Sequence, residues 1–151
     1  MDKADIRILQ LLEADGRLSF AALGEAVGLS KTPAWNRVRD LEAKGLIEGY
    51  GARVNADALG LKIRALVHLV VSFDQYEAFE AAIVAHKNIR VCHAVTGEYD
   101  YVLEILAPDM PSLDELLRTE LSRLPGVTRF NTSITTRLIK SGSRYSEMLP
   151  D

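Results

Sequence analysis

The chain has 151 residues, enough for one ordinary domain or two small ones. Hydrophobic residues make up 48% and charged residues 26%, a globular balance that excludes a disordered tail, a collagen-like repeat and a low-complexity linker. The formal net charge of -3 excludes a uniformly basic nucleic-acid binder, so any basic surface must be local.

The first residues and the cysteine content predict an intracellular protein. Segment 1–5 lacks the charged-then-apolar layout of a signal peptide. No apolar run approaches the ~18 uncharged residues that a membrane span needs. The single cysteine, Cys92, excludes an internal disulfide and a cysteine-rich zinc site. We therefore expect a cytoplasmic protein that has no membrane partner.

The first fifty residues repeat at helical spacing and predict three helices. The first has Asp2 or Asp5 as its N-cap and ends at Asp15-Gly16. Ser19 is predicted to cap a short second helix, and Ser30 a third. The predicted apolar residues are a broad stripe of Ile6, Leu9 and Leu12 flanked by Ile8 and Leu11 in the first helix, Leu23, Ala26 and Val27 in the second, and the core face Trp35, Val38 and Leu41 in the third. A helix, a short helix, a three-residue break with glycine and a further helix form the helix-turn-helix layout.

The third helix carries the strongest local pattern, because Lys31, Arg37 and Arg39 have no acidic residue between them. Serine, threonine and lysine suit phosphate oxygens, whereas asparagine and arginine suit adenine and guanine edges. The alternative is a solvated charged face, but the third helix of such a unit is the one that enters the major groove. Trp35 is predicted to pack in the core rather than to stack on a base. The candidate DNA-binding residues are Ser30, Lys31, Thr32, Asn36, Arg37 and Arg39.

A short connecting segment follows the third helix. Residues 46–55 mix strand formers with glycines and predict a small wing or linker strand. The predicted division is a helix-turn-helix domain over residues 1–50, a linker strand over 51–61 and a second domain over 62–151.

The second half changes to a period of two and predicts an α+β domain. Its predicted elements are a strand over 63–73, a helix capped by Asp74, strands over 89–95 and 101–107, a helix opened by Ser112, and a strand over 127–139. The order β-α-β-β-α-β is the ferredoxin-like arrangement. The second face of the first strand, with Leu66, His68 and Val70, is still fairly apolar. We therefore expect that the free face of the sheet meets another subunit.

A glycine loop joins the two middle strands, at Gly97-Glu98-Tyr99-Asp100-Tyr101. A plain turn needs nothing more than the glycine. The alternative is a site for a small zwitterion, in which Asp100 binds an ammonium group and the loop amides bind a carboxylate.

Enzyme motifs are missing from the sequence. There is no G-x-S-x-G, no H-E-x-x-H and no glycine-rich phosphate loop. The three histidines, His68, His86 and His93, are scattered along the chain. We therefore predict that the protein is not an enzyme and has no cofactor and no metal, and keep a metabolic enzyme on the same scaffold as a competing hypothesis.

These motifs together resemble the leucine-responsive / asparagine-synthetase regulator (Lrp/AsnC) family of transcription factors over nearly the full chain. The matching stretches are residues 5–9, 15–17, 27–30, 37–42, 45–47, 49–50 and 97–101. The sequence departs from the leucine-responsive branch at Ala34, where that branch often has cysteine.

The resemblance implies a winged helix-turn-helix joined to a ligand-sensing and oligomerisation domain. It implies dimers built through the sensing domains, octamers that wrap double-stranded DNA at the nucleoid, and amino-acid effectors bound where dimers meet. The effector positions that match the family are Gly97, Tyr99 and Asp100, with Thr132, Ser133 and Thr135 of the last strand as further candidates. We therefore predict a sequence-specific transcription regulator that responds to a small effector through its assembly. The alternative is an architectural DNA-binding protein without an effector.

Overall fold

The computed structural model describes residues 1–149, which form two units. Residues 1–53 and 139–149 make the first unit, and Val54–Leu138 make the second. The predicted domain 62–151 therefore differs from the structure, which groups the final segment with the helix-turn-helix. The last two residues of that predicted range lie outside the described residues.

A carboxylate explains this grouping of the final segment. Glu13 of the first helix accepts the backbone N–H groups of Tyr145 and Ser146, at 2.9 Å each, and also the Ser146 hydroxyl. Burial raises the pKa of Glu13, but the Ser146 and Tyr145 hydrogen bonds outweigh it and leave that pKa below its usual value. Glu13 is separated from Tyr145 by 132 positions and from Ser146 by 133 positions, and no local sequence pattern predicts contacts of that range.

The first unit contains three helices, α1 (Lys3–Ala14), α2 (Phe20–Ala26) and α3 (Lys31–Ala43). The predicted caps of α1 and α2 are confirmed: Asp2 and Asp5 form a capping box, and the Ser19 hydroxyl accepts the Ala22 N–H. Ser30 is the N-cap of α3, as predicted, but its hydroxyl makes no capping hydrogen bond. The buried core side chains of this unit are Ile8, Leu23, Val38 and Leu41.

Helices α2 and α3 approach each other closely at one glycine. A Cβ atom at Gly24 would lie 2.6 Å from the carbonyl oxygen of Leu29 and 3.1 Å from that of Ser30. The turn also needs Gly28, whose φ of +71° lies in the left-handed region. The position of α3 therefore depends on Gly28 of the predicted break and on Gly24 within α2.

The predicted strand between the units is wrong, because residues 46–62 contain no strand in the structure. A strand needs a hydrogen-bonded neighbour, and the backbone here bonds locally instead. Leu59 donates to Asn55 and Leu61 donates to Ala56, so the segment closes into a turn.

The second unit is the predicted βαββαβ fold. Its elements are β1 (Ile63–Val71), α4 (Tyr76–Ala85), β2 (Ile89–Ala94), β3 (Tyr101–Ala107), α5 (Met110–Thr119) and β4 (Val127–Ile134). The sheet order is β2-β3-β1-β4, and every neighbouring pair is antiparallel. Alternate residues of β1 and β3 are buried in a core with Phe79 and Ile83 of α4, as the period of two predicts.

Several predicted boundaries in this unit are corrected. Strand β1 ends at Val71, so Phe73 is 86% exposed instead of lying on the core face. Asp74 lies in a short 3-10 turn ahead of α4 and does not cap it. Helix α5 is capped by Asp109, which accepts the Ser112 N–H, so Ser112 lies inside the first turn.

The last strand is shorter than predicted. Ile134 pairs with Ala65 near the start of β1, and the Thr135 N–H donates to the carbonyl of Arg64. The ladder stops there because β1 begins at Ile63, so residues 135–139 have no further strand to pair with. No helix among residues 1–149 is long and apolar enough to cross a membrane.

Candidate functional sites

Helix α3 presents one exposed face, which carries Thr32, Trp35, Asn36 and Arg39. These residues recur at spacings of three and four, which places them on one side of a helix that advances about 100° per residue. The opposite side is buried and consists of Ala34, Val38 and Leu41. We refer to the exposed set as the outer face of α3.

The predicted core role of Trp35 is wrong, because its exposed fraction is 39%. The buried stripe runs through Ala34, Val38 and Leu41, so Trp35 lies one residue off it. The apolar spacing predicted the larger Trp35 at the buried position of α3, whereas the structure has the smaller Ala34 there.

The basic residues of the outer face and of its N-terminal end have no acidic partner. Lys31 and Arg39 are exposed, and neither forms a salt bridge within the described part of the chain. The guanidinium carbon of Arg39 lies 4.9 Å from the centroid of the Trp35 ring. The hydroxyl of the N-cap residue Ser30 makes no capping hydrogen bond, and the first N–H groups of a helix have no partner within the helix. Such an end suits an anion such as a phosphate.

Arg37 is placed apart from the other candidates. Its Nη1 donates to Asp5 at 2.7 Å and to Asp2 at 2.8 Å, so it joins α3 to the start of α1. These bonds, the Asp5 bond first, raise the pKa of Arg37. The Asp5 backbone N–H and then the Arg37 guanidinium lower the pKa of Asp2. In this arrangement Arg37 fixes the packing of α1 on α3.

The glycine loop lies at the sheet face that no helix covers, which we call the open face. Gly97 has a φ of +121°, a conformation that favours glycine. The centroid of the Tyr99 ring lies 5.3 Å from the centroid of the His68 ring and 5.2 Å from the guanidinium carbon of Arg129. Arg129 also pairs with Glu98 at 3.0 Å. Tyr99 is therefore held between β1 and β4.

Asp100, which lies in the same loop, has structural partners at the end of β1. One oxygen of its carboxylate accepts the Val71 N–H at 2.8 Å, and its own N–H donates to the carbonyl of Leu69 at 2.8 Å. Burial, followed by a hydrogen bond with Asp100, raises the pKa of Tyr76. Asp100 thus fixes the glycine loop to the end of β1.

The three candidates of the last strand do not share a face. Thr132 pairs with Val67 on the helix-covered side, where its hydroxyl is buried without a hydrogen-bond partner among residues 1–149. Ser133 pairs with Leu66 on the open face. Thr135 donates its hydroxyl to the Arg64 carbonyl. Of the two candidates within β4, Ser133 therefore lies on the same face as Tyr99 and Thr132 does not, and Thr135 lies beyond the end of the strand.

Sequence reasoning placed His68 on this face without a role beside Tyr99, and it missed Arg129. The signal was available in the period of two, because Arg129 shares the phase of Ser133 and His68 shares that of Leu66. Their meeting around Tyr99 requires the pairing of β1 with β4, which the sequence does not show.

Two family models cover most of the chain. A winged helix-turn-helix DNA-binding model matches residues 1–48, and an Lrp/AsnC ligand binding domain model matches residues 64–145. The chain is 38% identical over 147 residues to the leucine-responsive regulatory protein of Salmonella typhimurium, across 95% of this chain and 90% of that protein.

Solved structures agree with these matches. A transcriptional regulator of Neisseria meningitidis in complex with L-Met superposes with a TM-score of 0.92 at 31% identity, over 99% of this chain and 96% of the other. Escherichia coli AsnC superposes with a TM-score of 0.90 over 95% and 97% of the two chains, and its 19% identity supports the fold alone.

Proposed function

Since the chain belongs to the Lrp/AsnC family of DNA-binding transcription regulators, we propose that α3 reads duplex DNA and that an amino acid controls this binding. Membership sets the metabolic-enzyme hypothesis aside, because the relatives are regulators. A regulator of this kind would act on the nucleoid in the cytoplasm.

The outer face of α3 is the observation that supports DNA reading. Asn36 and Arg39 carry the groups that suit adenine and guanine edges, and Thr32, Lys31 and Ser30 suit phosphates. All five are exposed, and the two basic side chains are free of salt bridges within the described residues. Arg37, which was also a DNA-binding candidate, is proposed instead to act through the position of α1.

Salt dependence tests the phosphate contact. We expect Lys31→Ala to weaken binding to all duplexes about equally and to flatten the plot of log affinity against log salt by ~1 in slope. Duplexes selected from a randomised library by the unaltered protein serve as the probe, and binding is measured by fluorescence anisotropy. Lys87→Ala, an exposed lysine of the other unit, is the matched control.

Two results would count against this assignment. An unchanged slope of log affinity against log salt in Lys31→Ala would show that α3 does not contact phosphates through Lys31. Equal affinity for selected and unrelated duplexes would favour the architectural alternative, because non-specific binding is mostly phosphate electrostatics.

The glycine loop is the proposed effector site. The solved relative holds L-Met, which supports an amino acid as the class of ligand. The candidates Gly97, Tyr99 and Asp100 provide a glycine backbone, an aromatic ring and a carboxylate at the end of β1, and Ser133 provides a hydroxyl on the open face beside Leu66. A ligand controls DNA binding only through different affinities for two states, with a typical coupling of ~1–3 kcal/mol. We propose that these states are two assemblies of the chain.

A thermal-shift screen of the twenty amino acids tests the effector. A bound amino acid at 100 times its Kd should stabilise the protein by about 2.7 kcal/mol and raise its Tm. Tyr99→Ser should lose this shift, whereas Tyr145→Ser, an exposed tyrosine of the other unit, should keep it. A shift retained in Tyr99→Ser would place the effector elsewhere, and the absence of any shift would contradict amino-acid control.

The open face is the proposed surface for self-association. It carries the partly exposed apolar residues Leu66, Val70, Val102 and Leu106. Apolar area of this kind favours burial against a second copy. We propose a dimer through this face and higher assemblies, up to octamers, built from such dimers.

A further inference from the structure

We propose that Trp35 is a positioning residue that holds the Arg39 guanidinium for specific contact with a guanine. This inference rests on the proposed function of α3 and adds a residue that the sequence had assigned to the core. It is carried by the geometry of the outer face, where the two side chains lie one helical turn apart.

The contact between the two side chains is a cation–π arrangement. The Arg39 guanidinium carbon lies 4.9 Å from the Trp35 ring centroid, within the usual limit of about 6 Å, and tryptophan is the strongest aromatic partner. Arg39 has no salt bridge within residues 1–149, so no carboxylate of the described chain competes with the Trp35 ring for its guanidinium. An aromatic surface restricts the many rotamers of an arginine side chain before DNA is present.

The arrangement leaves the part of Arg39 that reads bases free. The N–H groups of Arg39 form no salt bridge within residues 1–149, and bidentate recognition of guanine O6 and N7 uses such N–H groups. Arg37 gives the contrast within the same helix, because its Nη1 is bound to both Asp2 and Asp5, which directs its guanidinium to the start of α1. Of these two arginines, Arg39 is therefore the one suited to base recognition.

The exposure of Trp35 supports the same conclusion. Its side chain is not part of the buried stripe, which is complete with Ala34, Val38 and Leu41. A large aromatic side chain that is 39% exposed beside candidate base-reading groups therefore serves the surface and not the core. Replacing it should change recognition more than stability.

The test compares four variants, with Arg39→Lys as a fifth for the control below, in binding to a duplex that the unaltered protein selects from a randomised library. Arg39→Ala should lower discrimination against a changed base about tenfold or more at one position of each half-site, the loss expected for a bidentate pair. Trp35→Leu should lower it about two- to fivefold at that same position, and Trp35→Phe should retain most of it. The double variant Trp35→Leu/Arg39→Ala should lose no more than Arg39→Ala alone.

The outcomes separate this inference from the proposed function. Additive losses, or a Trp35→Leu loss at bases that Arg39→Ala does not affect, would show that Trp35 contacts DNA independently and would overturn the inference. If Trp35→Leu lowers the Tm, Trp35→Phe and Arg39→Lys are compared instead. Trp35→Phe should keep the discrimination against a changed base. Arg39→Lys, which lacks the guanidinium fork, should lose it. Failure of the unaltered protein to select any sequence would overturn the proposed function and the inference with it.

A spectroscopic measurement follows the same contact. Trp35 is the single tryptophan of the chain, so its fluorescence comes from this site alone. The selected duplex should change the emission of the unaltered protein, and Arg39→Ala should alter the emission before DNA is added. Identical emission of the free unaltered protein and free Arg39→Ala would contradict the stacked arrangement.

Discussion

Phe79→Ala is expected to lower the free energy of unfolding of the ligand-binding unit by about 3–5 kcal/mol. The Phe79 side chain is fully buried, and its ring centroid lies 4.6 Å from that of Tyr101 on β3. The substitution removes the largest fully buried side chain described in the structure and leaves a cavity between α4 and the sheet. Denaturant unfolding followed by circular dichroism measures the loss.

The same helix offers the control for this prediction. Val84 lies on α4 with an exposed fraction of 89%, so Val84→Ala should change stability by no more than about 0.5 kcal/mol. A Phe79→Ala loss as small as that of Val84→Ala would mean that α4 does not pack on the sheet as the structure shows.

Gly24→Val is expected to abolish specific DNA binding by displacing α3. The first side-chain carbon would already lie 2.6 Å from a backbone carbonyl of the turn, which cannot move aside as a flexible side chain can. Over-packing of this kind costs about 1–3 kcal/mol, whereas the usual gain from replacing a helical glycine is no more than about 1 kcal/mol. The Tm and the affinity for a selected duplex are the two measurements.

Gly49→Val tests whether the effect belongs to the site and not to the substitution. A Cβ atom at Gly49 meets no other atom within 4 Å, and its φ does not require glycine. This control should keep both the Tm and the DNA affinity. If Gly24→Val also kept both, the close approach of α2 and α3 would not control the position of α3.

The helix-turn-helix and the βαββαβ order could be predicted because both depend on local patterns. Ser19 precedes an apolar repeat as a helix cap should, and the period of two in β1 follows from burial of one face. Errors occurred where two residues competed for one role. Asp109 rather than Ser112 caps α5, and Ala34 rather than Trp35 faces the core, because the backbone and the available space decide between such neighbours.

The sites were harder to predict because they depend on contacts between distant residues. Arg37 meets carboxylates 32 and 35 residues away, so the sequence shows its charge but not its partners. Thr132 and Ser133 are adjacent in sequence, yet the strand turns them to opposite faces of the sheet. Charge and residue type therefore suggested the candidates, and the register of the sheet separated them.

The attachment of the final segment to Glu13 has a consequence for the order in which the protein forms. The first unit contains residues that are synthesised both before and after the whole of Val54–Leu138. On the ribosome, α1 emerges early, but Tyr145 and Ser146 reach it only after the second unit has been translated. The DNA-binding unit is therefore completed last, after the ligand-binding unit has been synthesised.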